Sequence, residues 1–142
     1  MKTPILIIAT ALFISLNAFA QNPKDLPANV KASFYQKFPG AQKAKWGKEN
    51  AKEWEVEFTL NSKDYSANFS PEGHWLETEY KIAENEIPAV VTNTLNKEFT
   101  GHKIVTSEIS ETSKGKVYEF EISTGKVKKE VAVNADGSLV KK

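Results

Sequence analysis

Apolar and polar residues alternate strictly from Trp54 to Leu60, as Trp-Glu-Val-Glu-Phe-Thr-Leu, and again from Tyr118 to Ile122, as Tyr-Glu-Phe-Glu-Ile. A period of two is that of a β-strand with one face buried and one in water. The stretches belong to a longer echo: with a shift of 64 residues, Trp54 falls on Tyr118, Val56 on Phe120, Phe58 on Ile122, Phe69 on Val133, Gly73 on Gly137 and Trp75 on Leu139. Each alternating strand is predicted to fold back as a hairpin. In the first, a turn over Asn61-Ser62-Lys63-Asp64 sets Leu60 opposite Tyr65, Phe58 opposite Ala67 and Val56 opposite Phe69, with Glu55, Glu57 and Thr59 on the other face. In the second, a tight turn on Thr124-Gly125 would put Glu119 opposite Glu130 and Phe120 opposite Lys129, a like-charge pair and a lysine on the apolar face. The register carried over from the first copy, Ile122 opposite Val131 and Phe120 opposite Val133, avoids both and is the one predicted.

Upstream of each hairpin the period changes to that of a helix. Val30, Phe34 and Phe38 recur at four-residue steps after Leu26-Pro27 and stop at Pro39-Gly40. Val91, Leu95 and Phe99 do the same between Ile87-Pro88 and Gly101, now at a shift of 61, so a three-residue insertion separates helix from hairpin in the second copy. Strands are also expected over 42–48 and 103–111, and, after the turns Ser70-Pro71-Glu72-Gly73 and Asn134-Ala135-Asp136-Gly137, over 74–80 and 138–142. The predicted class is α+β: two tandem helix-plus-four-strand antiparallel repeats, 26–80 and 87–142, joined through the linker 81–86. Neither alone has a comfortable core, so the copies are expected to share one continuous sheet of about eight strands with both helices on one face.

The first twenty residues change the picture of where this fold works. Lys2, the apolar run 5–13 and Ala18-Phe19-Ala20 have the form of a signal peptide cut after Ala20, and 21–25 would be a flexible lead. The apolar run is short for a membrane span. The product expected is periplasmic or secreted, with no stable membrane insertion and no lipid anchor, since the chain has no cysteine. Of its 19 basic residues, Lys2 leaves with the leader, so 18 lysines face 18 acidic residues. A near-neutral chain without arginine is not built for nucleic acid.

No residue set declares a reaction. The 2 histidines, His74 and His102, lack metal-ligand spacing, thiol chemistry is excluded, and no nucleophile elbow or phosphate loop occurs. Ser-x-x-Lys appears at 113–116 and 123–126 without its partner motifs. No enzyme activity and no cofactor are predicted. The alternate pairs Glu55/Glu57, Glu77/Glu79 and Glu84/Glu86 could contribute to a cation site, but a solvated sheet face explains them more simply. Among the aromatics, Trp54, Phe58 and Phe69 read as core, whereas Trp46, Trp75 and Tyr80 lie outside the hairpin and are candidate anchors for a partner. The candidate binding set is therefore Trp46, Glu55, Glu57, Trp75, Tyr80, Glu119 and Glu121, on the helix-free sheet face.

The helix Leu-Pro-x-x-Val-x-x-x-Phe-x-x-x-Phe-Pro-Gly-Ala, followed in order by Trp46, Trp-Glu-Val-Glu-Phe, Tyr-x-Ala-x-Phe and Gly-x-Trp, resembles the PepSY-like, beta-lactamase-inhibitor-like family over 26–142. The resemblance implies tandem helix-plus-sheet units in an exported bacterial protein. PepSY modules occur in propeptides of secreted metallopeptidases, with inhibition as the suggested role, and the distant inhibitor presents a concave sheet face to its enzyme. That inhibitor has disulfides, which this chain cannot form. The function expected is a non-enzymatic module that binds another exported or envelope protein or peptide, the alternative being a small-ligand or cation binder.

Overall fold

A computed structural model describes residues 19–141. The predicted leader, apart from Phe19 and Ala20, lies outside them. Helix α1 (Ala28–Lys37) is followed by strands β1 (Gln42–Asn50), β2 (Glu53–Leu60), β3 (Lys63–Phe69) and β4 (Trp75–Lys81). A 3-10 turn (Glu84–Glu86) leads to α2 (Ala89–Glu98), β5 (Lys103–Thr112), β6 (Gly115–Thr124) and β7 (Val127–Asn134). The strands form one antiparallel meander in the order β1-β2-β3-β4-β5-β6-β7.

The sheet thus has seven strands, not eight. The stretch expected as the last strand makes a single bridge, Val133 to Leu139, supported by Val140 N–H donating to Ala132 O at 3.0 Å. Its counterpart β4 has a neighbour on both sides, β3 and β5, whereas the tail has β7 alone. With half the ladder to hold it, the segment leaves the sheet after one pair.

Both hairpins differ from their predicted registers by two residues, and in the same sense. The first closes with Leu60 opposite Lys63, Phe58 opposite Tyr65, Val56 opposite Ala67 and Trp54 opposite Phe69. Asn61 (φ 51°) and Ser62 (φ 64°) form a two-residue loop in the left-handed region, whose twist suits a hairpin better than a longer turn does. Thr59 Oγ1 donates to Asp64 Oδ1 at 3.0 Å just inside it. The second closes with Thr124 opposite Val127, which keeps the 64-residue offset, and sets Phe120 opposite Val131 and Tyr118 opposite Val133. A slip of two preserves the buried face, so the apolar assignments survive. It also puts Ile122 opposite Lys129 and Glu121 opposite Glu130. Lys129 is tolerated because its stem is exposed and its Nζ sits 5.1 Å from the Phe99 ring centroid. The carboxylate pair is relieved by Lys128, whose Nζ lies 2.6 Å from Glu121 Oε1.

Two apolar clusters hold the helices down. Phe34 of α1 is fully buried among Trp46, Phe58 and Phe69, with ring centroids 5.2, 5.0 and 6.2 Å away. Val91 and Leu95 of α2 pack with Ile109, Tyr118, Phe120, Ile122 and Val133. Gly73 and Gly137 bring the turns after β3 and β7 close to these helices. A Cβ at Gly73 (φ 90°) would lie 2.9 Å from Ser33 Oγ, and one at Gly137 (φ 89°) 2.6 Å from Val90 Cγ2. The turn echo therefore records a close approach of turn to helix as well as a left-handed backbone.

Candidate functional site

Strand alternation gathers the glutamates into rows across the sheet. One rung runs Lys45, Glu57, Ser66, Glu79, Ser110, Val117, and the next runs Gly47, Glu55, Asn68, Glu77, Thr112. Beyond β4, Lys81 faces Glu108, which faces Glu119, and Thr106 faces Glu121. All these residues share one side of their strands, opposite Val56 and Phe58.

The carboxyl groups are only partly in water, and short polar side chains between them serve as donors. Ser66 Oγ donates to Glu55 Oε1 at 2.9 Å, Asn68 Nδ2 to Glu53 Oε2 at 3.2 Å, and Ser110 Oγ to Glu77. Glu55 Oε2 is buried and receives no hydrogen bond. Burial pushes the Glu55 carboxyl up to about 7; the Ser66 hydroxyl opposes this, while Glu49 and Glu57 add to it. Burial also pushes Glu79 up to about 8, reinforced by Glu77, Glu119, Glu108 and Glu55. Glu77 is raised for the same leading reason, against the Ser110 hydrogen bond. Near neutral pH the centre of the face therefore holds protons, and its neutral carboxyls can donate as well as accept.

Glu55, Glu57, Glu119 and Glu121 of the candidate set share this side of the sheet. The aromatic members of the candidate set stand on the opposite side of their strands. Trp46 is 1% exposed and opposes Val56, inside the α1 cluster, because a bulge between Gln42 and Lys45, with Lys43 at φ 55°, sets the phase of β1. Trp75 opposes Phe69 across a second bulge; its Nε1 donates to Thr78 Oγ1 at 2.8 Å and Lys37 Nζ stands 3.7 Å from its ring centroid. Tyr80 opposes Ile109, and its ring lies 5.2 Å from that of Tyr65. All three lie on the other side of the strands; Trp46 and Trp75 pack there, as large aromatics usually do, while Tyr80 is half-buried and reaches the groove that the glutamates line. Glu79, Glu108, Ser66 and Ser110 were missed. The Glu77/Glu79 alternation was the available signal, and only the β4–β5 pairing shows what stands beside it.

A groove of about 1190 Å³ includes Glu57, Glu79, Glu108, Glu119 and Glu121 and reaches Tyr80 and Phe99 at the end of the sheet bearing the β2–β3 and β6–β7 turns. Lys63 Nζ and Glu86 Oε1, 3.3 Å apart, pair at that end. Among the described residues no group of three or more His, Cys, Asp or Glu is arranged to hold a metal ion. No helix among them is long and apolar enough to cross a membrane.

The chain matches the profile of the family described as beta-lactamase-inhibitor-like, PepSY-like over residues 52–141. Its fold is similar to that of a DUF2874 family protein from Bacteroides ovatus (18% identity, TM-score 0.75, covering 86% of this chain and 87% of that chain). It is also similar to a BLIP-like protein from Bacteroides fragilis (16%, TM-score 0.71, 81% and 83%). A third relative in fold is one of the "putative periplasmic proteins" of Bacteroides eggerthii (17%, TM-score 0.72, 81% and 86%). Identities this low establish the fold alone. No curated protein matches the chain.

Proposed function

Because the chain belongs to the beta-lactamase-inhibitor-like, PepSY-like family, we propose that it is a non-enzymatic, inhibitor-like module of the periplasm or cell exterior. It binds another exported protein or peptide through the glutamate-bearing face of its sheet. In this reading 1–20 is a removed leader and 21–25 a lead, 26–80 and 87–142 are tandem copies joined by 81–86, and both helices cover the side of Val56 and Phe58. The opposite side is left for the partner. The observation that carries the reading is the set of glutamate rows itself: partly buried carboxyls on four strands, β2, β4, β5 and β6, bridged by the serine and asparagine of β3, are costly to a fold with nothing to bind. A protonated centre with further carboxyl groups around it complements a partner loop that carries both hydrogen-bonding groups and a lysine or arginine.

The test is cross-linked capture from an envelope extract of the source organism, repeated with Glu57→Lys and Glu119→Lys and at rising salt. Loss of one defined partner in both variants and at high salt supports the reading. Capture that neither variant weakens contradicts it. The groove favours the small-ligand or cation reading as the second choice, and melting-temperature shifts across a metal and metabolite panel separate the two.

A further inference from the structure

The outer edge of β1 is occupied by the chain itself. Ala20 N–H donates to Trp46 O at 2.9 Å and Trp46 N–H donates to Ala20 O at 2.7 Å, a two-bond antiparallel bridge. Phe19 lies beside it, over Gly47: a Cβ there would meet the Phe19 ring at 3.1 Å and nothing else nearer than that ring. Gly47 opposes Glu55, so the ring rests at the β1 margin of the glutamate face. The rest of β1 is poorly suited to an incoming strand. Register shifts fall between Gln42 and Lys45 and between Lys48 and Asn50, and lysines stand at 43, 45 and 48. Bulges and lysines are how edge strands refuse partners. Trp46-Gly47 is the interval these guards leave open.

The leader pattern places cleavage after Ala20, which would remove both bridge bonds and the ring together. Trp46 would then present an unpaired N–H and C=O, beside a glycine whose platform has lost its cover.

We propose that Trp46-Gly47 is a strand-addition site for an extended peptide segment with an aromatic residue followed by a small one, and that the protein's own Phe19-Ala20 fills it until the leader is cut. Pairing to the Trp46 backbone supplies affinity, and the flat surface at Gly47 selects the aromatic ring. The inference rests on the peptide-binding reading above and adds a defined edge and occupant to it.

The experiment compares amide exchange at Trp46 in the full chain and in the chain beginning at Gln21. The probe is an end-blocked peptide of residues 17–22, Asn-Ala-Phe-Ala-Gln-Asn. Trp46 N–H should exchange at least tenfold faster in the shortened chain and be slowed again by millimolar peptide. The same peptide with Phe19→Ala should fail. So should the intact peptide against Gly47→Val, whose Cβ meets no atom nearer than 3.4 Å apart from the Phe19 ring, with an unchanged far-UV circular dichroism spectrum and urea midpoint as the check that the variant is folded. Equal protection of Trp46 in the shortened chain without peptide overturns the proposal, as does protection that appears only with concentration-dependent dimerisation. If the captured partner is lost with Glu57→Lys but retained with Gly47→Val, the sheet-face reading stands and the edge site falls.

Discussion

Glu79 shows what a single residue costs this fold. Its carboxyl titrates at about 8 because burial and the carboxyls of Glu77, Glu119, Glu108 and Glu55 all resist its charge. In the unfolded chain it would titrate near 4.5, so the folded form binds more protons between those values. A raised acid pKa means full stability below the unfolded value and a progressive loss as pH rises through the folded one. Glu55, at about 7, acts in the same direction. Urea midpoints should therefore fall from pH 5 to pH 8.5, and Glu79→Gln should flatten the profile. The gain at pH 8.5 should be on the order of 2 kcal/mol, less than the full shift implies because the group is only partly desolvated. A wild-type midpoint independent of pH over that range would show that the face is better solvated than its geometry implies. At this scale the sequence was legible where alternation alone decides burial, as at Val56, Phe58 and Phe120. It was misleading at Trp46, whose side depends on a bulge with no composition signal.

Gly137 belongs to the same scale but acts through an element, α2. Its left-handed backbone and the 2.6 Å approach to Val90 Cγ2 both penalise a Cβ. At Gly101, φ is 75° with nothing within 4 Å, so only the backbone term applies. Gly137→Ala should cost about 2–3 kcal/mol and Gly101→Ala about 1 kcal/mol, read as urea midpoints at constant m-value. The hairpins make the complementary case. Ser62 holds φ 64° in a two-residue loop after Asn61, a position where glycine carries no strain. Ser62→Gly should therefore stabilise the protein by about 0.5–1 kcal/mol, and a loss would mean that the loop relies on the serine hydroxyl. Both registers were misread together because the second was inferred from the first. The echo between them was sound, while the loop length was not legible, since Asn61-Ser62 is a weaker turn signal than Asn-Gly.

At the scale of the molecule, helices, strand order by hairpins and apolar faces were all legible, but the joint between the halves was not. It is the pairing of β4 with β5, from Glu77↔Thr112 to Lys81↔Glu108, reinforced by Ser107 Oγ donating to Ile82 O at 2.8 Å. These contacts link residues on either side of the linker and α2, and no local periodicity encodes them. The two apolar clusters stand on opposite sides of this ladder, with Val30, Phe34 and Phe69 in one and Val91, Leu95 and Val133 in the other. Each is small for independent stability, so the ladder should make unfolding a single event. The distribution of tryptophan makes this measurable, because Trp46, Trp54 and Trp75 all precede the joint. Leu95→Ala cuts the second cluster and should cost about 2–5 kcal/mol. If the halves are coupled, tryptophan fluorescence, which sees only the first half, will report the same lowered urea midpoint as far-UV circular dichroism. A fluorescence midpoint that stays at the wild-type value while the dichroism transition splits would mean that the ladder aligns two independent units, and the shared glutamate face would then be no stiffer than that one strand pair.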